Sequence, residues 1–157
     1  MSLSAPQLPP VAGAPYKVAV AAAGYNPRLV EALLGELRAT LRAAGVRERN
    51  LIVARVPGSN ELPVAAQLLA ARHRPDVIVA LGVIVRGGTI HYELIAHAVA
   101  AALQRVALDS GRPVINGVVV AETAAQAEAR CRGRRNRGAE FARSALAMAA
   151  LRRGLAR

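Results

Sequence analysis

The sequence predicts an α/β domain: a three-layer sandwich with a four-stranded parallel sheet between helices. Three observations predict it. Short apolar runs alternate with longer stretches that repeat apolar residues every three or four positions, the order that builds right-handed β–α–β crossovers. The apolar runs, such as VIVALGVIV at Val77–Val85, are continuous, as in strands buried on both faces. Polar and glycine-rich residues gather after the runs, at the strand ends where open parallel sheets bind ligands.

Each element follows in order. Residues 1–15 (MSLSAPQLPPVAGAP) are rich in proline and small residues and are expected to form a flexible or extended arm, leaving 16–157 as a single domain. Residues 16–22 read as the first strand. Asn26-Pro27 reads as an N-cap followed by proline at the first helical position. Leu29, Leu33, Leu37 and Leu41 form one helical stripe, and Gly45 is placed to end it. The run 51–56 is the second strand, broken by Pro57-Gly58. Pro63 opens a second helix, to about residue 72, and 77–85 is the third strand. A third helix, from Tyr92 to about residue 108, carries Ile95, Val99, Leu103 and Val106 on one stripe. Gly111-Arg112-Pro113 is a turn before a fourth strand, 114–120. Thr123 and Gln126 have capping-box spacing for a short helix. GRRN at 133–136 separates it from a last helix over about 137–151.

Composition narrows the function classes. The 157 residues suffice for one domain with a real core. A hydrophobic share of 54% argues against disorder. No apolar run reaches the roughly 18–20 residues of a membrane span, and the N-terminus lacks a signal-peptide pattern. The expected location is the cytoplasm. One cysteine, Cys131, excludes an internal disulfide framework and a cysteine zinc cluster, and is expected to be inert. Lys plus Arg is 21 against 10 for Asp plus Glu, a formal +11, nearly all arginine. Such charge is a solvated surface or an attraction to anions. The densest patch, Arg130, Arg132, Arg134, Arg135 and Arg137, has no interleaved aromatics, which argues against a nucleic-acid partner.

The strand ends that could build a site are Gly24-Tyr25-Asn26, the PGSNE segment at 57–61, residues 86–91 and Asn116 onward. At the third, an apolar strand runs into Arg86-Gly87-Gly88-Thr89 and then His91. That is either a plain loop or an anion pocket with a proton carrier beside it. Glu61 reads as a helix-start carboxylate or a ligand contact. His73 and His97 lack such a setting and are expected to be exposed or packing residues.

These segments resemble one family, the 6,7-dimethyl-8-ribityllumazine synthases of riboflavin biosynthesis. The resemblance covers roughly residues 17–151. It is carried by GYN at 24–26, VPGSNELP at 56–63, ALGVIVRGGTIHYELIA at 80–96, GRPVINGVVV at 111–120, QAEAR at 126–130 and NRG at 136–138. It implies a flavodoxin-like fold and a transferase that condenses 5-amino-6-ribitylamino-uracil with 3,4-dihydroxy-2-butanone 4-phosphate. Imine formation, phosphate elimination, ring closure and loss of water follow, with no metal or cofactor. By resemblance His91 carries protons, and Gly88, Thr89 and Arg130 hold the phosphate. Ser59, Asn60 and Glu61 face the ribityl chain, and Val83, Ile84 and Val85 pack near the ring. Tyr25 stacks on the ring, and Asn116 and Arg137 complete the site.

Several positions depart from the family pattern. Tyr25 stands in the segment usually written RFN, Asn60 and Asn116 stand where aromatic residues are usual, and Arg137 replaces a lysine. Two alternatives therefore stand beside the synthase reading: a same-fold paralogue binding another heterocycle, and a mainly structural shell whose basic surface holds anionic cargo. The resemblance also implies a homo-oligomer, a pentamer or a 60-subunit shell. In it Asn116, Arg130 and Arg137 of one subunit meet the Tyr25, Ser59–Glu61 and Val83–His91 segments of another.

Overall fold

A computed structural model of the chain describes residues 8–133 and 136–156. Residues 1–7 of the expected arm, and Arg134 and Arg135 of the arginine patch, lie outside the described residues. The order is β1 (Val18–Ala23), α1 (Pro27–Ala43), β2 (Leu51–Val56), α2 (Leu62–His73), β3 (Val77–Val85), α3 (His91–Ser110), β4 (Val114–Ala121), α4 (Ala124–Cys131) and α5 (Gly138–Leu155). All strand pairs are parallel, in the order β2-β1-β3-β4. The sheet is the flavodoxin-like one expected.

Alternation along the strands divides the core in two. Val18, Val20 and Ala22 of β1, with Val77, Val79, Leu81 and Val83 of β3, face α1, α4 and α5. The stripe Leu29, Leu33, Leu37 and Leu41 is buried there. Truncating Leu33, which is fully buried, would cost about 2–5 kcal/mol. Ala19, Ala21, Ala23, Ile78 and Ala80 face α2 and α3. Alanines on the sheet meet Ala65, Ala66 and Ala70, so small side chains on both sides let α2 lie close to the sheet. Gly138 begins α5, where a Cβ would run into the Leu33 carbonyl, so α1 and α5 approach backbone to backbone.

Three local expectations are corrected. The first strand begins at Val18, two residues later than the apolar run suggests. The main chain of Lys17 is engaged by Asp76: its N–H donates to Asp76 Oδ2 at 2.8 Å, and its carbonyl accepts the Asp76 amide at 2.7 Å. Asn26 occupies the cap position of α1, but its side chain makes no cap bond. The capping box at α4 is shifted by one residue. Thr123 Oγ1 accepts the Gln126 amide at 3.1 Å, and Gln126 Oε1 accepts the amide of Glu122 instead of Thr123.

Asp76 anchors the amino-terminal end of the sheet. Arg153 of α5 donates to both its oxygens at 2.7 Å and to the Pro15 carbonyl at 2.6 Å. The Arg153 guanidinium also lies 4.8 Å from the Tyr16 ring centre. Residues 8–15 carry no helix or strand; Gly13 is buried, and its amide donates to the Ala44 carbonyl at 2.7 Å. No helix among the described residues is long and apolar enough to cross a membrane.

Candidate active site

The carboxyl ends of β1, β2 and β3 open into one cavity of about 420 Å³. Val83, Ile84 and Val85 form its floor, because β3 outruns β1 at that end. Tyr25 and Asn26 line one side, and Gly58 to Glu61 another. Gly87, Thr89, His91, Tyr92 and Ile95 complete it. Of the expected site residues, Tyr25, Ser59, Asn60, Glu61, Val83, Ile84, Val85, Thr89 and His91 are thus brought together. Gly88 sits between two lining residues without lining the cavity itself.

Short contacts fix the walls. Glu61 Oε2 accepts the Gly58 amide at 2.8 Å, so this carboxylate holds its own turn while bordering the cavity. Ser59 is buried, and its hydroxyl would lie 2.6 Å from a Cβ on Gly82, so Gly82 makes room for it under the loop. Tyr25, 72% exposed, lies across Gly58: its ring would be 3.2 Å from a Cβ there. A flat apolar face is therefore presented to the cavity rather than to the core.

Gly87 and Gly88 differ from these glycines. A Cβ on either would meet nothing within 4 Å, and neither has positive φ. Neither packing nor backbone conformation within the chain requires glycine there. The pair leaves an open stretch of backbone just before α3. His91 is the exposed first residue of that helix, and its amide makes a long 3.4 Å contact with Thr89 Oγ1. Ile90, at the cap position itself, offers no side-chain bond. The Tyr92 hydroxyl donates to Glu93 Oε1 at 2.8 Å, and this bond, with the Glu93 charge, keeps the phenol protonated above its ordinary range. His91 is the histidine among the lining groups.

Asn116, Arg130 and Arg137 do not line this cavity. Asn116 pairs with Ala80 in the sheet, is exposed, and its Oδ1 accepts the Val118 amide at 3.1 Å. Arg130 is exposed in the last turn of α4. Arg137 donates to both Glu140 oxygens at 2.7 and 3.0 Å and lies 5.1 Å from the Phe141 ring centre. Those hydrogen bonds hold the Glu140 carboxyl below its ordinary value despite partial burial. Cys131 is fully buried, and burial, with Glu128 nearby, pushes its thiol up to about 11, away from nucleophile chemistry. Among the described residues no group of His, Cys, Asp or Glu is placed to hold a metal ion.

Sequence reasoning missed Tyr92 and Ile95 as lining residues, while Asn26, Gly58 and Gly87 lie in the strand-end segments it singled out but were assigned no contact. Ile95 was detectable: it lies four residues after His91 and so shares its helix face. The specific role of Asn26 was not, since use as a cap and use at a cavity leave the same trace.

Sequence comparisons point to one family. The sequence model of the 6,7-dimethyl-8-ribityllumazine synthase family matches residues 15–153. The chain is 44% identical over 133 residues to the 6,7-dimethyl-8-ribityllumazine synthase of Stenotrophomonas maltophilia (strain R551-3), covering 84% of this chain and 86% of that one. It is 41% identical over 140 residues to the enzyme of that name from Halorhodospira halophila (strain DSM 244 / SL1), covering 88% and 90%. It is 40% identical over 134 residues to that from Paracidovorax citrulli (strain AAC00-1), covering 85% of each chain.

Proposed function

The chain belongs to the 6,7-dimethyl-8-ribityllumazine synthase family, and from that premise we propose how its cavity works. The reaction is the condensation of 5-amino-6-ribitylamino-uracil with 3,4-dihydroxy-2-butanone 4-phosphate to 6,7-dimethyl-8-ribityllumazine, the penultimate step of riboflavin biosynthesis. The chain is a transferase acting on small molecules. The observation that carries the assignment of roles is the open Gly87-Gly88 backbone beside His91, facing Tyr25 and the Ser59–Glu61 turn across one cavity.

Roles follow from that arrangement. The phosphate of the butanone lies against Gly88 and Thr89, where the backbone is bare and the start of α3 adds its dipole. His91 moves protons during imine formation and phosphate loss. Tyr25 stacks on the pyrimidine, over the floor of Val83, Ile84 and Val85. Ser59, Asn60 and Glu61 face the ribityl hydroxyls. The protein's contribution is to hold two reactants in register and to carry protons.

Arg130, Arg137 and Asn116 serve the site of a neighbouring copy in a pentamer. That none of them lines the cavity of its own chain supports this. So do exposed apolar side chains on α2 and α3, among them Val64, Leu68, Leu94 and Leu108, and Val120 on the edge strand β4. The cytoplasm is the proposed location. Incubating the purified protein with both substrates and following lumazine absorbance tests the activity; no product would overturn it. Sedimentation tests the assembly: a pentamer or a 60-subunit particle supports it, a monomer overturns it.

A further inference from the structure

We infer that Asn26 is a positioning residue: its amide takes the place of the next rung of the β1–β3 ladder and thereby sets Tyr25 against the cavity. The inference rests on the proposed function for its substrate and on the fold for its geometry.

β1 pairs with β3 as far as Ala22 and Leu81 and ends at Ala23. The next amide, of Gly24, belongs to the β2 side and bonds the carbonyls of Val56 and Pro57, at 2.8 and 3.1 Å. Val83, two residues beyond Leu81 on β3, is almost fully buried, and its carbonyl lies past the end of the main-chain ladder. Buried carbonyls need a donor. Asn26 Nδ2 supplies it at 2.9 Å. To reach there Asn26 adopts φ 53 and ψ 52, a left-handed conformation that asparagine tolerates better than most residues. Its conformation and its hydrogen bond are thus one device.

Tyr25 is held between these two anchors. Gly24 ties the chain to the end of β2, Asn26 ties it to the end of β3, and the ring between them is laid over Gly58. An aromatic ring that is 72% exposed has little packing of its own to fix its angle, so the anchors on either side must fix it. The amide acts through Tyr25 on the pyrimidine half of the cavity. The Gly87 to His91 half has no bond to Asn26.

Asn26→Gly tests this, because glycine keeps the left-handed backbone and deletes only the amide. Asn26→Asp keeps the shape but sets an oxygen against the Val83 carbonyl. In the glycine variant the KM for 5-amino-6-ribitylamino-uracil should rise about tenfold (~1.4 kcal/mol), with kcat within about twofold and the KM for the butanone phosphate unchanged. Asn26→Asp should raise it further. Hydrogen exchange at residues 24–26 should quicken in the substrate-free glycine variant. An unchanged pyrimidine KM, or an equal rise in both KM values, overturns the inference. If the wild type forms no product, the proposed function falls alone. The positioning role is then judged by exchange, and unchanged protection at 24–26 overturns it.

Discussion

Arg153 grips Asp76 with two parallel 2.7 Å hydrogen bonds, joining the end of the last helix to the start of the central strand β3. The carboxylate side chain is 11% exposed and the guanidinium 40%. Burial tends to raise the Asp76 pKa. The Arg153 hydrogen bonds, the Lys17 amide and the charges of Arg153 and Arg152 outweigh it and lower the value overall. The pair is more than a surface contact, yet the half-open guanidinium is partly screened.

Removing it should be visible in stability. Arg153→Ala should destabilise the fold by about 1–3 kcal/mol, read by urea unfolding at neutral pH. The pH dependence has a fixed sign. Asp76 is more acidic folded than unfolded, so its contribution is complete above the unfolded value and is lost as pH falls through the folded one. Wild-type stability should therefore drop below about pH 4, and Asp76→Asn, weaker at neutral pH, should show a shallower acid decline. Parallel acid limbs would mean that Asp76 does not contribute in this way.

Gly82→Ala probes the seat of Ser59. The added methyl would lie 2.6 Å from the Ser59 hydroxyl and 3.1 Å from Leu62. The turn carrying Ser59 to Glu61 must shift, at a cost of about 1–3 kcal/mol. Thermal melting should report the loss, and the affinity for the ribityl-bearing substrate should fall more than that for the phosphate. Unchanged melting and affinity would show that the turn yields freely.

His91→Ala should reduce turnover about 100-fold or more, the range of general acid–base catalysis, with the assembly intact. Single-turnover kinetics on the sedimenting oligomer is the measurement. Full turnover would remove His91 from proton transfer.

Arg130→Ala should weaken the butanone phosphate by about 1.5–3 kcal/mol, the worth of a hydrogen bond to a charged group, and leave the pyrimidine unaffected. Mixing Arg130→Ala subunits with His91→Ala subunits should restore activity, because a shared site can then draw each group from a different chain. A mixture no more active than its parts would place Arg130 outside a shared site.

The layers and one half of the site were legible in the chain, for different reasons. Burial on two faces leaves continuous apolar strands such as β3, and burial on one face leaves the leucine stripe of α1. The cavity was legible because loops at one end of a parallel sheet converge whatever their sequence. Asn26 was misread because an asparagine before proline is equally suited to capping and to extending a sheet. The strand start at Val18 was hidden because the partner of Lys17 is 59 residues away. Asn116, Arg130 and Arg137 could not be placed from periodicity, which reports only which face of its own element a side chain occupies.

The Asp76 anchor and the cavity occupy opposite ends of β3, whose nine residues span about 26 Å at the usual rise. Changes at the two ends share no contacts and should combine additively. An evolving lineage can therefore exchange residues such as Asn60 at the mouth, one after another, while the far end keeps the molecule standing. Ligand preference is free to drift on a scaffold whose durability is set elsewhere.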